Sequence, residues 1–531
     1  MAAALGLPGH FPVTSSHLTK VSFMSRNRAL QTPGIAWLLL SITLMLSWLL
    51  LNLDLEGKSL WTDELFTAEW ALLPFEEVIQ RTVADYHPPL YFLLVDSWTN
   101  WAGRTDFALR WLSVASAWLS IAVLFRLGRD WGGRGVGWLS AALWGFSPLL
   151  ILYGRMARYY SLAALLGLLS TCALWYSLKR GKWRCWTAYV LFSSAALYTF
   201  YLTGLLLLIH GWFAFRLKDR RGMLRWSASM IPLSLSLLPW AGVIASQSVR
   251  TGSGMADLTY SAAGIAMKIA YPAYALALGE SLFPWHPLAV AGGVAILLLF
   301  FLGIGRWRER GFCLSLLGLL LFPFVGMALV TTFISPRTPF VSMPGRTLFA
   351  APYFFLILGA GSGGYKLRLL APIGVTLAAA WLLSLTNYYH NQQFLNPIYL
   401  TPAREMVRQV LDQLRPGDAI ISPDDSGFYY YYEQSNARNP HFCDHAQALA
   451  YLEGEKVERI WLVTLGRDQT RRSAPTDVQE WLQAHCCLAG SWGYVPQAPV
   501  YRAIKSRLLG RPAYEYRAAL ALYVREDGCR R

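Results

Sequence analysis

The chain has 531 residues, of which 55% are hydrophobic and only 15% are charged, and its formal net charge is +16. Soluble globular proteins carry roughly 25% charged residues, so this composition argues against an ordinary soluble domain. The sequence has no Walker A motif, no convincing dinucleotide fingerprint, no nucleic-acid-binding motif and no zinc-ligand spacing. These features argue against a nucleotide-dependent enzyme, a nucleic-acid partner and a structural zinc site.

Long apolar runs explain the low charged fraction. A transmembrane helix needs about 20 mainly apolar residues, and too many runs approach this length for the buried helices of a large soluble protein. The first run, residues 35–53, follows a basic tail and is too long for the core of a signal peptide. We therefore predict a polytopic α-helical membrane protein, with a cytoplasmic N-terminal tail over residues 1–34 and a membrane domain over residues 35–386.

The positions of lysine and arginine predict the orientation, because short cytoplasmic loops are enriched in these residues. The basic tail places residues 54–105 outside as a large first loop, and the turn with Arg126, Arg129 and Arg134 lies inside. Counting in this way gives about eleven crossings, which places the C-terminus outside. The predicted spans are 35–53, 107–124, 136–152, 161–178, two legs of a hairpin whose tip is 198–201, 227–245, 287–303, 312–332, 348–361 and 367–385.

Two segments fit the span pattern poorly. The basic clusters 179–184 and 216–221 are about thirty residues apart, and both are expected inside. The chain between them forms two legs of only about 22 Å each, less than the roughly 30 Å of the hydrocarbon core, so we expect a short hairpin. Residues 265–282 have a helical pattern, but a span there would place the basic cluster 306–310 outside. We expect a half-buried or interfacial helix instead.

From about residue 387 charged residues return, and strands alternate with helices. This pattern predicts a small extracytoplasmic α/β domain over residues 387–531. Its predicted strands are 419–422, 459–464 and 519–524, and its predicted helices are 402–414 and 477–484. The cysteines of this domain are candidates for a disulfide, and the sequence does not decide which of them pair. They are Cys443, Cys486, Cys487 and Cys529.

Two polar features of this domain have alternative interpretations. Asp424, Asp425 and the run Tyr429-Tyr430-Tyr431-Tyr432 are candidates for carbohydrate contact, because aromatic rings stack on sugars. The favoured alternative for the tyrosines is a partly buried strand or helix end.

Acidic residues with a histidine are concentrated in the first outer loop. Asp63 and Glu64 are adjacent, so on a helix they point roughly 100° apart and only one can face a given reacting group. The alternative is that Asp63 or Thr62 caps a helix. Asp85 and His87 precede a double proline that fixes the approach to a following helix. Here the alternative is a helix entry with an incidental acid and histidine.

Arginines occur in two outer turns, against the usual charge bias of membrane proteins. Arg155 and Arg158 lie three residues apart in one turn, and Arg337 and Arg346 lie in another. Guanidinium groups bind phosphate in bidentate fashion, although they also reach out to lipid phosphates. A carboxylate that removes an acceptor proton, together with arginines that stabilise a leaving phosphate, predicts transfer from a phosphate-bearing lipid donor.

The order of these motifs resembles the C superfamily of membrane glycosyltransferases. The motifs are Trp61-Thr62-Asp63-Glu64, Asp85-Tyr86-His87-Pro88-Pro89-Leu90-Tyr91, Arg155-Met156-Ala157-Arg158-Tyr159-Tyr160-Ser161-Leu162 and Gly345-Arg346-Thr347-Leu348. Over roughly residues 35–390 the chain is most similar to the bacterial branch of the protein O-mannosyltransferase and aminoarabinose transferase family, which is family 39-like. Two departures stand out: Phe200 replaces a common histidine, and Thr347 replaces the usual tyrosine.

The resemblance implies an inverting glycosyltransferase that moves a monosaccharide from a polyprenyl-phosphate donor to an extracytoplasmic lipid, glycan or protein acceptor at the inner membrane. It implies that Asp63 is the catalytic base, that Glu64 orients it or the acceptor, and that Asp85 is a second acid. Arg158 and Arg346 would then hold the lipid phosphate. His87 is a weaker candidate, and Arg155 is a candidate from its position in the same turn.

No cofactor is required under this interpretation, since arginines alone can neutralise a monophosphate leaving group. A divalent metal, which some family members bind, is left open. The alternative function is a transporter or flippase of a lipid-linked sugar, which predicts ionisable residues near the membrane midplane and inverted repeats. The predicted spans are almost free of such residues. A binding module with a membrane anchor is a third possibility, but one span would be enough for anchoring.

Overall fold

Helices dominate the first part of the chain. The structure, a computed structural model, describes residues 33–251, 262–306, 310–329, 344–362, 367–423, 426–435, 437, 441–467, 475–494, 499–509 and 516–525. The predicted tail up to residue 32, Arg337, Asp424 and Asp425 lie outside the described residues. The helices of the first part are α1 (Pro33–Asn52), α2 (Thr62–Trp70), α3 (Phe75–Ala84), α4 (Leu90–Ala102), α5 (Asp106–Gly132), α6 (Arg134–Gly145), α7 (Pro148–Gly154), α8 (Tyr160–Arg180), α9 (Trp183–Thr199), α10 (Gly204–Leu237), α11 (Ala241–Thr251), α12 (Ala262–Leu278), α13 (Pro287–Arg306), α14 (Arg310–Leu329), α15 (Ala351–Ser362) and α16 (Leu367–Tyr389).

Several of these helices have the length and composition of membrane spans. Among the described residues six are long and apolar enough to cross a membrane, and α6 with α7 would add a seventh as one bent span. The six are Gly34–Asn52, Asp106–Gly132, Tyr160–Arg180, Arg220–Gln247, Pro287–Arg306 and Leu370–Tyr389. Four shorter apolar helices lie beside them. The chain is therefore a multi-pass membrane protein, and the predicted count of about eleven is not reached by the long helices alone.

The structure departs from one predicted span. The span expected at 136–152 is broken into α6 and α7, which are bent by 57°. The first helix ends at Gly145 with Phe146 as its C-cap. Ser147 caps the second helix, where its hydroxyl accepts the Leu150 N–H and Pro148 takes the first position. Proline fits there because it has no N–H to donate.

The basic cluster 216–221 lies within α10, at a point where the chain reverses direction. The apolar helices Tyr201–Arg216 and Arg220–Gln247 lie on either side of the cluster. A Cβ on Gly211 would lie 2.9 Å from the Trp226 ring, whereas a straight helix would hold these residues about 22 Å apart, so the chain turns back at the cluster as expected. The predicted hairpin tip is found at Phe200, where the backbone is extended between α9 and a short 3-10 turn.

The C-terminal part forms the predicted small α/β unit. Its elements are α17 (Ala403–Leu411), β1 (Ala419–Ile421), α18 (Gly427–Gln434), β2 (Phe442–Cys443), α19 (Ala448–Gly454), β3 (Arg459–Arg467), α20 (Thr476–His485), β4 (Cys486–Gly493), α21 (Pro499–Leu509) and β5 (Tyr516–Arg525). The strand order is β2-β1-β3-β5-β4, with β1 parallel to both neighbours and β5 antiparallel to both of its own. β1 is buried throughout, as its apolar sequence predicts.

This α/β unit is bonded to the first outer loop. Tyr431 of α18 donates a hydrogen bond to the buried Asp106 carboxylate and accepts one from the Leu60 N–H at 2.8 Å. Arg404 forms an ion pair with the same carboxylate and also donates to the Glu56 carbonyl. The four consecutive tyrosines thus lie on a helix, with Tyr431 buried against the loop that leads into α2.

Candidate active site

The first outer loop places Asp63 in the first turn of α2. The helix begins at Thr62 with Trp61 as its N-cap, and Glu64 Oε2 accepts the Trp61 N–H at 3.2 Å. The interpretation of Asp63 or Thr62 as the helix cap is therefore wrong, because Trp61 holds that position. The Asp63 side chain remains 21% exposed, which leaves it accessible to a ligand.

Glu64 points away from Asp63 into the protein. Its side chain is 2% exposed and forms an ion pair with Arg110 at 2.8 Å. Its Oε1 accepts the Arg110 Nε–H at 2.9 Å and the Ala157 N–H at 2.7 Å. Glu64 therefore ties α2 to α5 and to the turn before α8, and this fixes the position of Asp63.

A chain of polar contacts joins the two acidic motifs. Asp85 bonds to Nδ1 of His87, and His87 Nε2 lies 3.1 Å from Nη2 of Arg158. Arg158 Nη1 donates to the Asp63 carbonyl at 3.0 Å, and Nη2 lies 3.9 Å from Asp63 Oδ2. Arginine only donates, so His87 Nε2 accepts and Nδ1 carries the proton given to Asp85. The double-proline loop and the outer turn thereby converge on α2.

Burial and neighbouring charges set the protonation of this chain. Burial opposes the charge of Asp85, but the hydrogen bond and attraction from His87 outweigh it, so the pKa of Asp85 lies below its usual 3.8. Burial, reinforced by Arg158, lowers the pKa of His87 below its usual 6.5 despite the bond to Asp85. At neutral pH Asp85 is therefore a carboxylate and His87 is neutral, in agreement with the directions of their hydrogen bonds.

Arg346 reaches the same cluster from the 3-10 turn Pro344–Thr347. Its guanidinium bonds the Tyr159 hydroxyl and interacts electrostatically with Asp63 and Arg158. The turn packs tightly, because a Cβ on Gly345 would lie 2.4 Å from the Tyr153 ring. Arg346 is half-buried, whereas the Arg158 side chain is 3% exposed. Of the two guanidinium groups, Arg346 is therefore the more accessible.

Arg155 lies apart from this pair. Its Nη2 donates to the carbonyls of Leu53 and Asp54 at 2.6 and 2.7 Å. Its guanidinium also lies over the rings of Tyr388 and Tyr389, 5.3 and 4.9 Å from their centroids. These contacts join the end of α1 to the end of α16.

Two buried charged residues near the site were not predicted from the sequence. Arg110 lies within a predicted span, and its position in an apolar run was the available signal. Glu280 is fully buried and accepts hydrogen bonds from Tyr153 and Tyr271. Through Tyr153, this carboxylate supports the ring against which Gly345 packs. No local pattern in the sequence distinguishes Glu280 from an ordinary exposed acid near the end of the predicted helix 265–282.

The residues of this cluster do not form an evident metal site. Within the described parts of the chain, no three His, Cys, Asp or Glu side chains are grouped so that they could hold one ion. Both ring nitrogens of His87 are already engaged, one with Asp85 and one with Arg158. We therefore derive no reaction step through a metal.

Solved structures with the same architecture include two membrane enzymes. ArnT from Cupriavidus metallidurans in the apo state matches with a TM-score of 0.51 and 11% identity, over 92% of this chain and 98% of that chain. The Archaeoglobus fulgidus oligosaccharyltransferase tethered with an acceptor peptide matches with a TM-score of 0.51 and 11% identity, over 94% of this chain and 89% of that one. This chain has the fold of the C-superfamily membrane glycosyltransferases.

Sequence comparison agrees with this C-superfamily fold. Residues 86–244 match the family model described as dolichyl-phosphate-mannose-protein mannosyltransferase. That segment includes His87 and Arg158 but neither Asp63 nor Arg346. No curated protein matches the sequence. The predicted resemblance to the C superfamily is confirmed.

Proposed function

We propose that this protein is an inverting glycosyltransferase that moves one monosaccharide from a polyprenyl-phosphate donor to an extracytoplasmic acceptor. The observation that carries the proposal is the convergence of Asp63, Arg158 and Arg346, which come from three separate outer segments. A partly exposed carboxylate beside two guanidinium groups suits base-assisted transfer with a phosphate leaving group. The matched family model supports the donor class, because its description names a mannose carried on dolichyl phosphate.

In the proposed reaction, Asp63 accepts the proton of an acceptor hydroxyl. The acceptor oxygen then forms a bond to the anomeric carbon from the face opposite the phosphate, which inverts that centre. The bond between the anomeric carbon and the phosphate oxygen breaks, and its electron pair leaves with the polyprenyl phosphate. Arg346 contacts the phosphate and stabilises its charge, and the more deeply buried Arg158 adds positive charge without direct contact.

The other predicted site residues have supporting parts in this scheme. Asp85 fixes the neutral His87, and His87 in turn holds Arg158 in place. Glu64 fixes α2, so it positions Asp63 without contacting substrate. Arg155 donates hydrogen bonds to the two carbonyls that follow α1.

We place the active site and the α/β unit on the extracytoplasmic side of the inner membrane, with the N-terminus in the cytoplasm and about eleven crossings. The positive-inside bias of the sequence supports this orientation. Cys487 is disulfide-bonded, which supports an oxidising compartment for the α/β unit. The acceptor is a lipid, a glycan or a protein. The archaeal enzyme of the same fold was solved with an acceptor peptide.

The experiment must separate sugar transfer from flipping of a lipid-linked sugar. Proteoliposomes with the purified protein and a panel of radiolabelled undecaprenyl-phosphate sugars, mannose included, receive cell-envelope extract as acceptor. Transfer predicts that label moves to the extract and that undecaprenyl phosphate accumulates. Movement of the intact donor between leaflets, with no cleavage of the sugar–phosphate bond, would support the flippase instead.

A further inference from the structure

A groove of about 520 Å³ lies between α9 and α10, far from the active site. It is lined by Trp183, Trp186 and Val190 from α9 and by Arg225, Ala228 and Pro232 from α10. The far end of α9 leads to Phe200, whose ring packs on Tyr159 of the active site, 4.9 Å between centroids. At about 1.5 Å per residue, the helix separates Trp183 from Phe200 by about 25 Å. The groove therefore opens at the opposite side of the bundle from the active site.

The two helices run in the same direction along the groove. Trp226 donates to the Tyr189 hydroxyl at 3.0 Å, and farther along Tyr198 donates to the Ser236 carbonyl at 2.8 Å. Residue numbers thus rise together on both walls. Trp183 and Arg225 form one end, and Val190 and Pro232 form the other, about 10 Å deeper.

The shallow end of the groove is strongly basic. Arg225 lies beside the left-handed turn at Gly181, with Nη1 3.4 Å from where a glycine Cβ would lie. Residues 179–190 and 220–232 contain no acidic residue and carry seven lysines and arginines. These are Lys179, Arg180, Lys182, Arg184, Arg220, Arg221 and Arg225. An occupant of this end must therefore be anionic.

We propose that this groove binds one anionic phospholipid from the leaflet opposite the active site. The head-group phosphate lies at Arg225, and an acyl chain follows Val190, Ala228 and Pro232. Trp183 is 71% exposed at the rim, where tryptophan suits the level of lipid head groups. The volume is within the roughly 300–1,000 Å³ of small-molecule sites. Charge complementarity and the gradient from basic to apolar along the groove together fit a lipid.

The test uses the full-length protein in neutral detergent and native mass spectrometry. Palmitoyl-oleoyl phosphatidylglycerol is titrated against wild type, Arg225→Gln, Ala228→Phe and the matched control Arg221→Gln. Arg221 is exposed on the same helix but does not line the groove. We expect Arg225→Gln to weaken the first binding event by about fivefold, the factor for one cationic contact with an anionic head group. Ala228→Phe, which fills the groove, should weaken it similarly, and Arg221→Gln should leave it unchanged.

Palmitoyl-oleoyl phosphatidylcholine serves as the zwitterionic comparison and should bind more weakly than phosphatidylglycerol. Equal losses with Arg225→Gln and Arg221→Gln would overturn the proposal in favour of diffuse attraction by the basic cluster. Equal affinity for the two lipids would also overturn it. If Ala228→Phe abolishes a dimer in the spectrum while lipid binding persists, the groove is an interface between two copies of this chain.

Discussion

At the scale of single residues, Arg158 joins the two acidic motifs of the candidate active site. One terminal nitrogen bonds the Asp63 carbonyl, and the other faces both His87 and the Asp63 carboxylate. A planar guanidinium can hold these partners at fixed angles, whereas an ammonium group is a single point charge on a flexible stem. The geometry of the proposed base therefore depends on the shape of this side chain as well as on its charge.

Arg158→Lys tests that dependence. Lysine keeps the positive charge but loses the fixed fork, so Asp63 and His87 shift relative to the donor. We expect the turnover rate for sugar transfer at saturating donor to fall by about 100-fold, as for other misplaced catalytic groups. The control is Arg134→Lys, at the start of α6, just beyond the end of α5 that lies opposite the outer loop. Full turnover in Arg158→Lys would show that charge alone is sufficient.

The protonation of His87 predicts how stability and the transfer rate change at acid pH. Its neutral form accepts the Arg158 N–H, and because its pKa is below 6.5 this form persists as the pH falls through 6.5. The unfolded chain takes up that proton at higher pH, so the free energy of unfolding should decrease below about 6.5. Asp85→Asn removes contacts that raise the pKa of His87, so the acid limb of residual transfer should move to lower pH. A shift to higher pH in that profile would contradict this assignment.

At the scale of elements, α18 holds the loop that leads into α2. Tyr431 donates to the buried Asp106 and accepts the Leu60 N–H. Gly427 at the start of α18 approaches Leu65 of α2, since a Cβ there would lie 3.6 Å from its side chain. The α/β unit thus contributes to the position of Asp63, although none of its residues belongs to the site cluster.

Tyr431→Phe tests this contact between elements. Removing the hydroxyl leaves the buried Asp106 without one donor, which costs about 1–3 kcal/mol. We expect a lower melting temperature and a reduced transfer rate. Tyr432→Phe is the matched control, because the buried Tyr432 hydroxyl lacks a hydrogen-bond partner in the described part of the chain. Similar effects of both substitutions would contradict a specific role for Tyr431.

The composition of short segments explains which elements could be predicted from the sequence. The apolar runs of α1, α13 and α16 and the buried strand β1 are encoded by composition over a few turns or residues. The bend between α6 and α7 was not predicted. The apolar residues continue through the break, and the sequence alone does not show that the proline there begins a new helix. β2 has only two residues and β4 is mostly exposed, so neither has the length and burial of a typical core strand. Both depend on pairing with distant strands.

At the scale of the whole molecule, the outer segments meet at one point. Charge patterning predicted that Asp63, Asp85, Arg158 and Arg346 share one face of the membrane, and the structure brings them into one cluster. Their individual contacts were not predictable, because Glu64 and Arg155 have the same local signals as their neighbours but are engaged elsewhere. Their contacts in the folded protein distinguish them: Glu64 pairs with Arg110, and Arg155 bonds the chain at the end of α1.

The central claim is that Asp63 is the base of a sugar transfer. Mass spectrometry of envelope glycolipids and glycoproteins is compared among cells that carry wild type, Asp63→Asn, the exposed-acid control Glu77→Gln, or no protein. We predict that products heavier by one sugar require the wild-type or Glu77→Gln protein. With Asp63→Asn, at equal membrane abundance, their amount should fall by at least about 100-fold. Full product formation by Asp63→Asn would contradict the account.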